Sequence, residues 1–348
     1  MSPVLSLRRV LTLVRSLPLI WALACGPVDL GLPEPPRSAA PEKASSVLFL
    51  ISDDQRADSL GALGNPHVRT PHLDRLVEAR FSFTNAYNMG STVAAVCAPS
   101  RAMLLSGKSL FHLGSDVYEL DDPDPILPET LRLSGWVTHA TGKWHNGRRW
   151  FHRAFDHGDA IFHGAGGPHR DLPVQHFDPS GRYDAERHPA AHFSSEAFAD
   201  ATLAFLEWLD EREPDQPFCA WVAFTAPHDP RTPPAPYRAM YDPDTLPLPP
   251  NFAPVHPFDN GDMLVRDELL ATWPRTPETL QRDLADYYGL ISHMDAQIGR
   301  ILAALEASGR ASNTLIVFCS DHGLSMGGHG LMGKQNLYED SMRAPLVI

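Results

Sequence analysis

Residues 45–54 have the sequence SSVLFLISDD, an apolar run of strand length that ends directly in two carboxylates. Valine, isoleucine and phenylalanine in so short a run are typical of a buried β-strand. Comparable runs bounded by polar turns follow at residues 135–141, 217–226, 313–320 and 344–348. The sequence therefore predicts five buried strands, and four of them end in charged or polar residues.

Helical patterns separate these strands. Thr70-Pro71 supplies a cap and a first-turn proline for one helix. A second helix runs through residues 198–209, and the longest spans residues 279–307, with apolar residues at helical spacing. Strands that alternate with helices predict an α/β sandwich built on a large, mostly parallel sheet flanked by helices.

Two long stretches interrupt this alternation. Residues 145–171 are rich in glycine and histidine, and residues 227–259 are rich in proline. Loops of this length in a compact domain are usually functional. We therefore expect residues 147–193 and 229–278 to form the rim of a binding site and to set its specificity.

Composition excludes one large class of partners. The 348 residues carry a formal net charge of −13, and 43% of them are hydrophobic. A nucleic-acid-binding protein would normally show a basic patch or stripe, and none runs through this chain. An acidic total still allows an anionic substrate, because a few cationic side chains that converge in one cleft set the local potential there.

The N-terminus has the pattern of an export signal. Arginines precede an apolar run that ends in Ala22-Leu23-Ala24 before Cys25. This pattern suits ordinary cleavage, and it equally suits attachment of a lipid to the cysteine. The predicted organisation is a signal peptide at 1–25, a proline-rich linker at 26–44 and a catalytic domain at 45–348. The protein is expected in the periplasm or outside the cell, either free or anchored to a membrane only through that lipid.

Of the four cysteines, one has no structural explanation. Cys219 and Cys319 lie inside apolar runs, which predicts buried thiols, with a disulfide between them as the alternative. Cys97 instead lies in residues 94–107, AAVCAPSRAMLLSG, at the start of what the pattern predicts to be a short helix.

Carboxylates follow two of the predicted strands. Asp53 and Asp54 follow the first, and Asp321 follows the strand at 313–320. Ligands of open α/β sheets bind beyond the carboxyl ends of the strands, so these three acids are expected to meet there. Each could simply cap a turn, but three converging carboxylates favour a divalent cation. Oxygen ligands favour Ca²⁺, with Mg²⁺ as the alternative.

Cationic side chains are predicted at the same edge. Lys143 and His145 are alternate residues after one strand, which in extended chain places them on one face, and His228 follows another strand. Arg101 and Lys334 complete the candidate set. Each side chain alone could be an ordinary surface residue.

The segment Cys97-Ala98-Pro99-Ser100-Arg101 resembles the C-x-P-S-R signature of the formylglycine-dependent sulfatases, a family of the alkaline phosphatase superfamily. The segments GKWH, SDHG and GLMGKQNLYEDSMRAPLVI occur in the family's order, and the resemblance covers residues 45–348. It implies that a maturation enzyme oxidises Cys97 to formylglycine, whose hydrate attacks sulfur. Charge on such a nucleophile would be stabilised by the helix N-terminus and by a cation, and Arg101, one turn later, could hold the hydrate.

The resemblance also implies a role for each candidate residue. Lys143 and Lys334 would neutralise the sulfate oxygens, His145 would stabilise the nucleophile, and His228 would protonate the leaving alcohol. The implied metal ligands are Asp53, Asp54, Asp321 and His322, together with the modified Cys97. Position 322 is commonly asparagine in that family.

These residues favour an exported sulfuric ester hydrolase that acts on a sulfated carbohydrate or a similar alcohol sulfate. Two alternatives stay open: a phosphate or phosphonate ester hydrolase on the same scaffold, and a glycan-binding relative without activity. Family members usually continue into a smaller C-terminal domain that closes one side of the cleft. Because this chain ends inside an apolar run, we expect that domain to be missing.

Overall fold

The apolar run at the start of the pattern forms strand β1 (Ser46–Ser52), at the centre of a seven-stranded sheet. The structure is a computed structural model, and it describes residues 46–114, 118, 124–183 and 186–348. The predicted signal peptide and linker lie outside the described residues.

The remaining strands are β2 (Ser82–Phe83), β3 (Val137–Lys143), β4 (His157–Phe162), β5 (Pro173–Val174), β6 (His188–Pro189), β7 (Phe218–Ala223), β8 (Thr314–Ser320) and β9 (Leu346–Val347). The helices are α1 (Pro71–Ala79), α2 (Cys97–Ser106), α3 (Leu127–Leu133), α4 (Arg148–Ala154), α5 (Ser194–Arg212), α6 (Ala235–Arg238), α7 (Pro277–Ala307) and α8 (Glu339–Met342). Single 3₁₀ turns occupy Gly61–Leu63, Leu110–His112, Pro243–Thr245, Arg266–Leu270 and Ala311–Asn313.

The large sheet has the strand order β2-β9-β8-β1-β7-β3-β4. Its central ladders are parallel: β1 pairs with β7 and β8, and β3 pairs with β7 and β4. Only the edge pairs β8–β9 and β9–β2 are antiparallel. This arrangement confirms the predicted α/β sandwich with a mostly parallel sheet.

Both faces of the sheet are covered, which is why its strands are apolar throughout. Leu48 and Leu50 of β1 point into a core shared with α5 and α7. Ile51 points to the opposite face, into a second core with α2 and α4. The period of two along a strand thus distributes one apolar run between two helical layers.

The prediction of a loop at residues 145–171 is wrong in part. That stretch contains α4 and also β4, an edge strand that pairs with β3 through a register shift at Thr141/Gly142. A Cβ at Gly158 would lie 2.9 Å from the Ala140 carbonyl oxygen. Gly158 therefore allows β4 to pack closely against β3 and does not indicate a loop. The other stretch, 227–259, holds only the short α6 and one 3₁₀ turn.

Strand β3 runs two residues further than predicted and ends at Lys143. Gly142 makes this extension possible: its φ is 88°, and a Cβ would lie 1.9 Å from the Ala223 carbonyl oxygen. No other residue fits this position, so the glycine allows β3 to deliver Lys143 to the sheet edge.

Cys219 and Cys319 are buried and free, so the predicted buried thiols are confirmed and a disulfide between them is excluded. No helix within the described ranges is long and apolar enough to cross a bilayer.

Candidate active site

The carboxyl ends of β1, β8 and β3 and the N-terminus of α2 converge at one edge of the sheet. Asp53 and Asp54 follow β1, Asp321 follows β8, Lys143 ends β3, and Cys97 is the first residue of α2. All five side chains are buried. The predicted site residues at these strand ends are therefore brought together.

Asp53 is paired with Lys143. The Lys143 Nζ donates to Asp53 Oδ2 at 2.5 Å, and neither side chain is exposed. Burial would raise the pKa of Asp53, but the positive charge of Lys143 outweighs it, so the pKa lies well below its usual range. The second oxygen, Asp53 Oδ1, is buried and has no hydrogen-bond partner among the residues that the structure describes.

Asp54 is paired with Lys334. The Lys334 Nζ lies 2.7 Å and 2.9 Å from the two carboxylate oxygens. Burial opposes ionisation, yet Lys334 lowers the pKa of Asp54 to about 2. Asp54 has a φ of 68°, and its carbonyl accepts a 2.8 Å hydrogen bond from the hydroxyl of Tyr287. Left-handed backbone at a non-glycine residue is held in place by such contacts.

Arg101 forms a buried ion pair with Asp321. Its Nε donates to Asp321 Oδ2 at 3.0 Å, and its Nη1 donates to the Lys143 carbonyl at 2.8 Å. This buried ion pair ties α2 to the ends of β8 and β3. The expected contact of Arg101 with the hydrate of residue 97 stays a prediction. The remaining oxygen, Asp321 Oδ1, accepts the Asp54 N–H at 3.2 Å.

The Cys97 thiol lies in the middle of this cluster. Its Sγ is 3.3 Å from Lys334 Nζ and 3.4 Å from His322 Nε2. Because Cys97 is the first residue of α2, it also lies at the positive end of the helix dipole. A negatively charged group at this position is therefore stabilised from several sides.

His322 is oriented by its own backbone. Its Nδ1 donates to the Gly323 carbonyl at 2.7 Å, which leaves Nε2 aimed at Asp54 Oδ1, 3.0 Å away. Burial would lower the pKa of His322, but Asp54 raises it to about 9. An imidazole fixed through Nδ1 in this way presents Nε2 as a potential metal ligand.

His228 has a similar arrangement and also lies near Asp54. Its Nδ1 donates to the Asp229 carbonyl at 2.7 Å, and its Nε2 lies 3.9 Å from Asp54 Oδ2. The carbonyl of His228 accepts a 2.9 Å bond from Nε2 of the buried His169. A Cβ at Gly166 would lie 2.8 Å from His228 Cε1. The glycine- and histidine-rich stretch therefore supports this histidine.

His145 lies next to the cluster, but not for the reason predicted. The chain leaves the strand after Lys143 and His145 has a φ of 62°, so the alternation of extended backbone does not apply. Burial, with the charges of Lys143 and Arg101, lowers the pKa of His145 to about 3. Its Nδ1 is buried without a hydrogen-bond partner in the described part of the chain.

Two overlapping groups of four side chains could hold a metal ion, each with ligand atoms within 4.8 Å of one another. Both contain Asp53 and Cys97; one adds Asp54 and His228, and the other adds Asp321 and His322. Asp53, whose Oδ1 has no hydrogen-bond partner among the described residues, belongs to both groups. Carboxylate oxygens and a thiol at this spacing fit a divalent cation.

Several supporting residues could not be predicted from the sequence. The hydroxyl of Tyr287 also accepts the Arg56 N–H at 2.9 Å, although the helical spacing of α7 indicates only a core residue. His169 lies in a stretch predicted as loop, and the Glu268 carboxylate accepts the N–H groups of Met332 and Gly333. None of these residues belongs to a recognisable motif.

Fold and site together define an α/β sandwich of the alkaline phosphatase-like class. Among solved structures, the phosphonate monoester hydrolase of Agrobacterium radiobacter superposes with a TM-score of 0.67 at 24% identity. The match covers 87% of this chain and 67% of that one. It is a likeness of fold.

The family is decided by sequence. The sulfatase family model matches residues 45–348, so the chain belongs to the sulfatase family, the formylglycine-dependent family that its motifs resemble. An N-acetylglucosamine-6-O-sulfatase of Bacteroides thetaiotaomicron is 24% identical over 88% of this chain and 63% of its own length. An ulvan-active sulfatase of Formosa agariphila is 31% identical over 87% of this chain and 55% of its own length. The chain thus spans 55–63% of the length of these two relatives.

Proposed function

We propose that this protein hydrolyses sulfate monoesters of carbohydrates, with residue 97 as formylglycine and a divalent cation beside it. The observation that carries the proposal is the position of the Cys97 thiol at the N-terminus of α2, 3.3 Å from Lys334 Nζ and within a carboxylate cluster. The family and the names of both relatives support it.

The donor set suits a cation. Asp53 belongs to one candidate ligand group with Asp54 and to the other with Asp321, and Asp53 Oδ1 has no hydrogen-bond partner among the described residues. Their oxygens favour Ca²⁺, with Mg²⁺ next, whereas the His322 nitrogen is a ligand more typical of transition metals. The cation would supply neutralisation of developing negative charge, and the hydrated aldehyde would supply a hydroxyl nucleophile.

The chain's own residues bind and orient the ester. Lys143 and Lys334 would bind the sulfuryl oxygens. Both lysines are buried, so water does not screen their positive charges. Arg101 keeps Asp321 in place. His145, with its pKa lowered to about 3, is neutral at physiological pH and offers a hydrogen bond rather than a charge. His228 would protonate the leaving oxygen.

A cleft of about 680 Å³ opens beside Lys334 and would receive the rest of the substrate. The rings of Phe258 and Tyr338 line it together with the polar side chains of Asn260 and Asp262. Aromatic faces and a few polar groups suit a sugar ring. Lys334 is the only lysine or arginine in the described lining, so the cleft favours a neutral sugar with one sulfate over a polyanionic chain.

We further propose export to the periplasm or beyond, by way of residues 1–25, with either cleavage or lipid attachment at Cys25. A maturation enzyme that oxidises Cys97 is the partner that this scheme requires.

The reaction is tested by comparing esters side by side. The matured protein should show higher kcat/KM for a monosulfated neutral sugar than for the matching phosphate monoester, because a sulfate monoester carries one negative charge where the phosphate carries nearly two. It should also prefer that sugar to a polysulfated oligosaccharide. A preference for phosphate or phosphonate esters would favour the alternative hydrolase, and binding without turnover would favour the glycan-binding alternative.

The role of His228 predicts a dependence on the leaving group. His228→Ala should lower kcat/KM for a sugar sulfate by about 10²- to 10⁴-fold, because a poor leaving group needs a proton. For an aryl sulfate, whose phenol leaves with little help, the loss should stay below about tenfold. His67→Ala, at an exposed histidine outside the expected rim, is the matched control. Equal losses on both substrates would contradict the role.

A further inference from the structure

The segment 267–275, predicted to lie in the specificity rim, packs against the backbone that carries Lys334. We infer that Glu268 and Arg275 are positioning residues that fix the Lys334 ammonium beside residue 97. This inference rests on the proposed function, in which Lys334 binds the transferring group.

Glu268 binds the chain just before the lysine. Its Oε2 accepts the Met332 N–H at 2.9 Å, and its Oε1 accepts the Gly333 N–H at 2.8 Å. The Glu268 carboxylate is buried. A buried carboxylate is stable only when its oxygens are hydrogen-bonded, so these two peptide groups are held in one orientation.

Arg275 neutralises that carboxylate and holds the same loop. Its Nη2 donates to Glu268 Oε2 at 2.7 Å, and its Nε donates to the Gly330 carbonyl at 3.3 Å. The guanidinium carbon lies 3.5 Å from the ring centroid of Trp273. The planar guanidinium of Arg275 thus contacts a carboxylate, a carbonyl and an aromatic ring at the same time. A lysine ammonium could not make these three contacts together.

The loop at 332–334 is packed closely against Asp267 and Glu268. A Cβ at Gly333 would lie 2.9 Å from Glu268 Oε1 and 3.0 Å from the Asp267 Cβ. The next peptide is fixed too: the Lys334 N–H donates to Gln335 Oε1 at 3.2 Å, and Gln335 Nε2 donates to Asp267 Oδ2 at 3.0 Å. Three consecutive N–H groups, at 332, 333 and 334, are thus tied to this segment directly or through Gln335.

On the other side of the loop, the lysine reaches the reacting centre. Its Nζ lies 2.7 Å from Asp54 Oδ1 and 3.3 Å from Cys97 Sγ. Displacement of a reacting or binding group by about 1 Å is enough to cost about 10²-fold in rate. A loosened loop at 332–334 would therefore lower turnover even where the protein stays folded.

The experiment is a double-mutant cycle on the full chain, matured and loaded with metal. Glu268→Gln keeps the side-chain shape but removes one acceptor and the charge, and should lower kcat for an aryl sulfate by about 10- to 100-fold. In the Lys334→Ala background the same substitution should change kcat by less than about twofold, because its effect acts through Lys334.

The control is Glu129→Gln, which alters a part-buried Arg–Glu pair between α3 and α4, remote from Lys334. It should leave kcat within about twofold in both backgrounds. If Glu268→Gln reduces kcat equally with and without Lys334, the inference is overturned. Should Glu268→Gln fail to fold by near-ultraviolet circular dichroism, Arg275→Lys is used in the same cycle with the same expectation.

A second readout does not depend on turnover. The affinity for inorganic sulfate, measured by calorimetry, should fall about tenfold in Glu268→Gln, and in the Lys334→Ala background the same substitution should not lower it further. If the wild-type protein hydrolyses none of the esters, the proposed function is overturned. The sulfate affinities would still show whether Glu268 positions Lys334. Unchanged sulfate affinity in Glu268→Gln contradicts the inference.

Discussion

Cys97→Ala is expected to reduce turnover of sulfate esters by at least about 10⁴-fold, because it removes the nucleophile itself. The lysines, Arg101 and the carboxylates would remain in place around the vacant position. They would bind the ester but could not form a bond to sulfur. The loss should therefore appear in kcat, with KM for the substrate changed far less.

Peptide mass spectrometry identifies the chemical form of residue 97. The peptide that spans it should show the mass of an aldehyde in place of a thiol and should react with a hydrazide probe. Cys219→Ala is the matched control, since it removes another buried thiol whose pKa burial raises to about 12, and it should keep both the aldehyde and the activity. Full activity with an intact Cys97 thiol would contradict the assignment.

The buried setting of the signature has a consequence for maturation. Cys97, Pro99 and Arg101 are all buried in the folded chain, and Arg101 is only 1% exposed. A modifying enzyme that recognises these side chains could not reach them after folding. Oxidation of Cys97 is therefore expected on the unfolded or partly folded chain.

The fold was predictable to the extent that residue pattern reports burial. The runs at 45–52, 217–226 and 313–320 are apolar because helices cover both faces of the sheet, and they form β1, β7 and β8. Strand β4 was missed because its residues, HGDAIF, include glycine, histidine and aspartate. It lies at the sheet edge, where polar side chains are tolerated, so its composition gives a weaker signal.

The site was predictable where a topological rule applies. Parallel strands bring their carboxyl ends to one edge, so Asp53, Asp321 and Lys143 could be assigned to a common site before any geometry was known. The contact of Arg101 with Asp321 was not foreseen, because helical spacing relates Arg101 only to Cys97 on its own helix. Spacing places a side chain on one face of its helix, whereas its partners on other elements are known only from the tertiary structure.

Residues that act through backbone contacts were beyond prediction. Glu268 contacts Met332 and Gly333 across 64 and 65 positions of sequence, and it lies in the expected rim segment 229–278, outside any predicted helix or strand. A single acid in such a segment is most simply interpreted as a surface residue. Only the folded geometry shows that it lies buried behind Lys334.

Asp54→Asn is expected to be as damaging as removal of the metal, with turnover reduced by at least about 10³-fold. The neutral amide cannot balance a cation, and it also leaves Lys334 without the carboxylate that it contacts at 2.7 Å. Exhaustive chelation of the wild-type protein should give the same loss, and addition of Ca²⁺ or Mg²⁺ should restore activity. Mn²⁺ and Zn²⁺ belong in the same series, since the His322 nitrogen would favour them over Ca²⁺.

Bound metal, measured by elemental analysis, separates the two effects of Asp54→Asn. About one ion per chain is expected in the wild-type protein and a substoichiometric amount in the variant, whereas Lys334→Ala should lose activity while it keeps its ion. Asp210→Asn, at a surface pair with Arg310, is the control and should retain both metal and activity. The three buried carboxylates are paired with Lys143, Lys334 and Arg101, and histidines lie nearby. Full turnover by a demonstrably metal-free chain would therefore contradict the prediction, because it would show that these side chains balance the carboxylates without a metal ion.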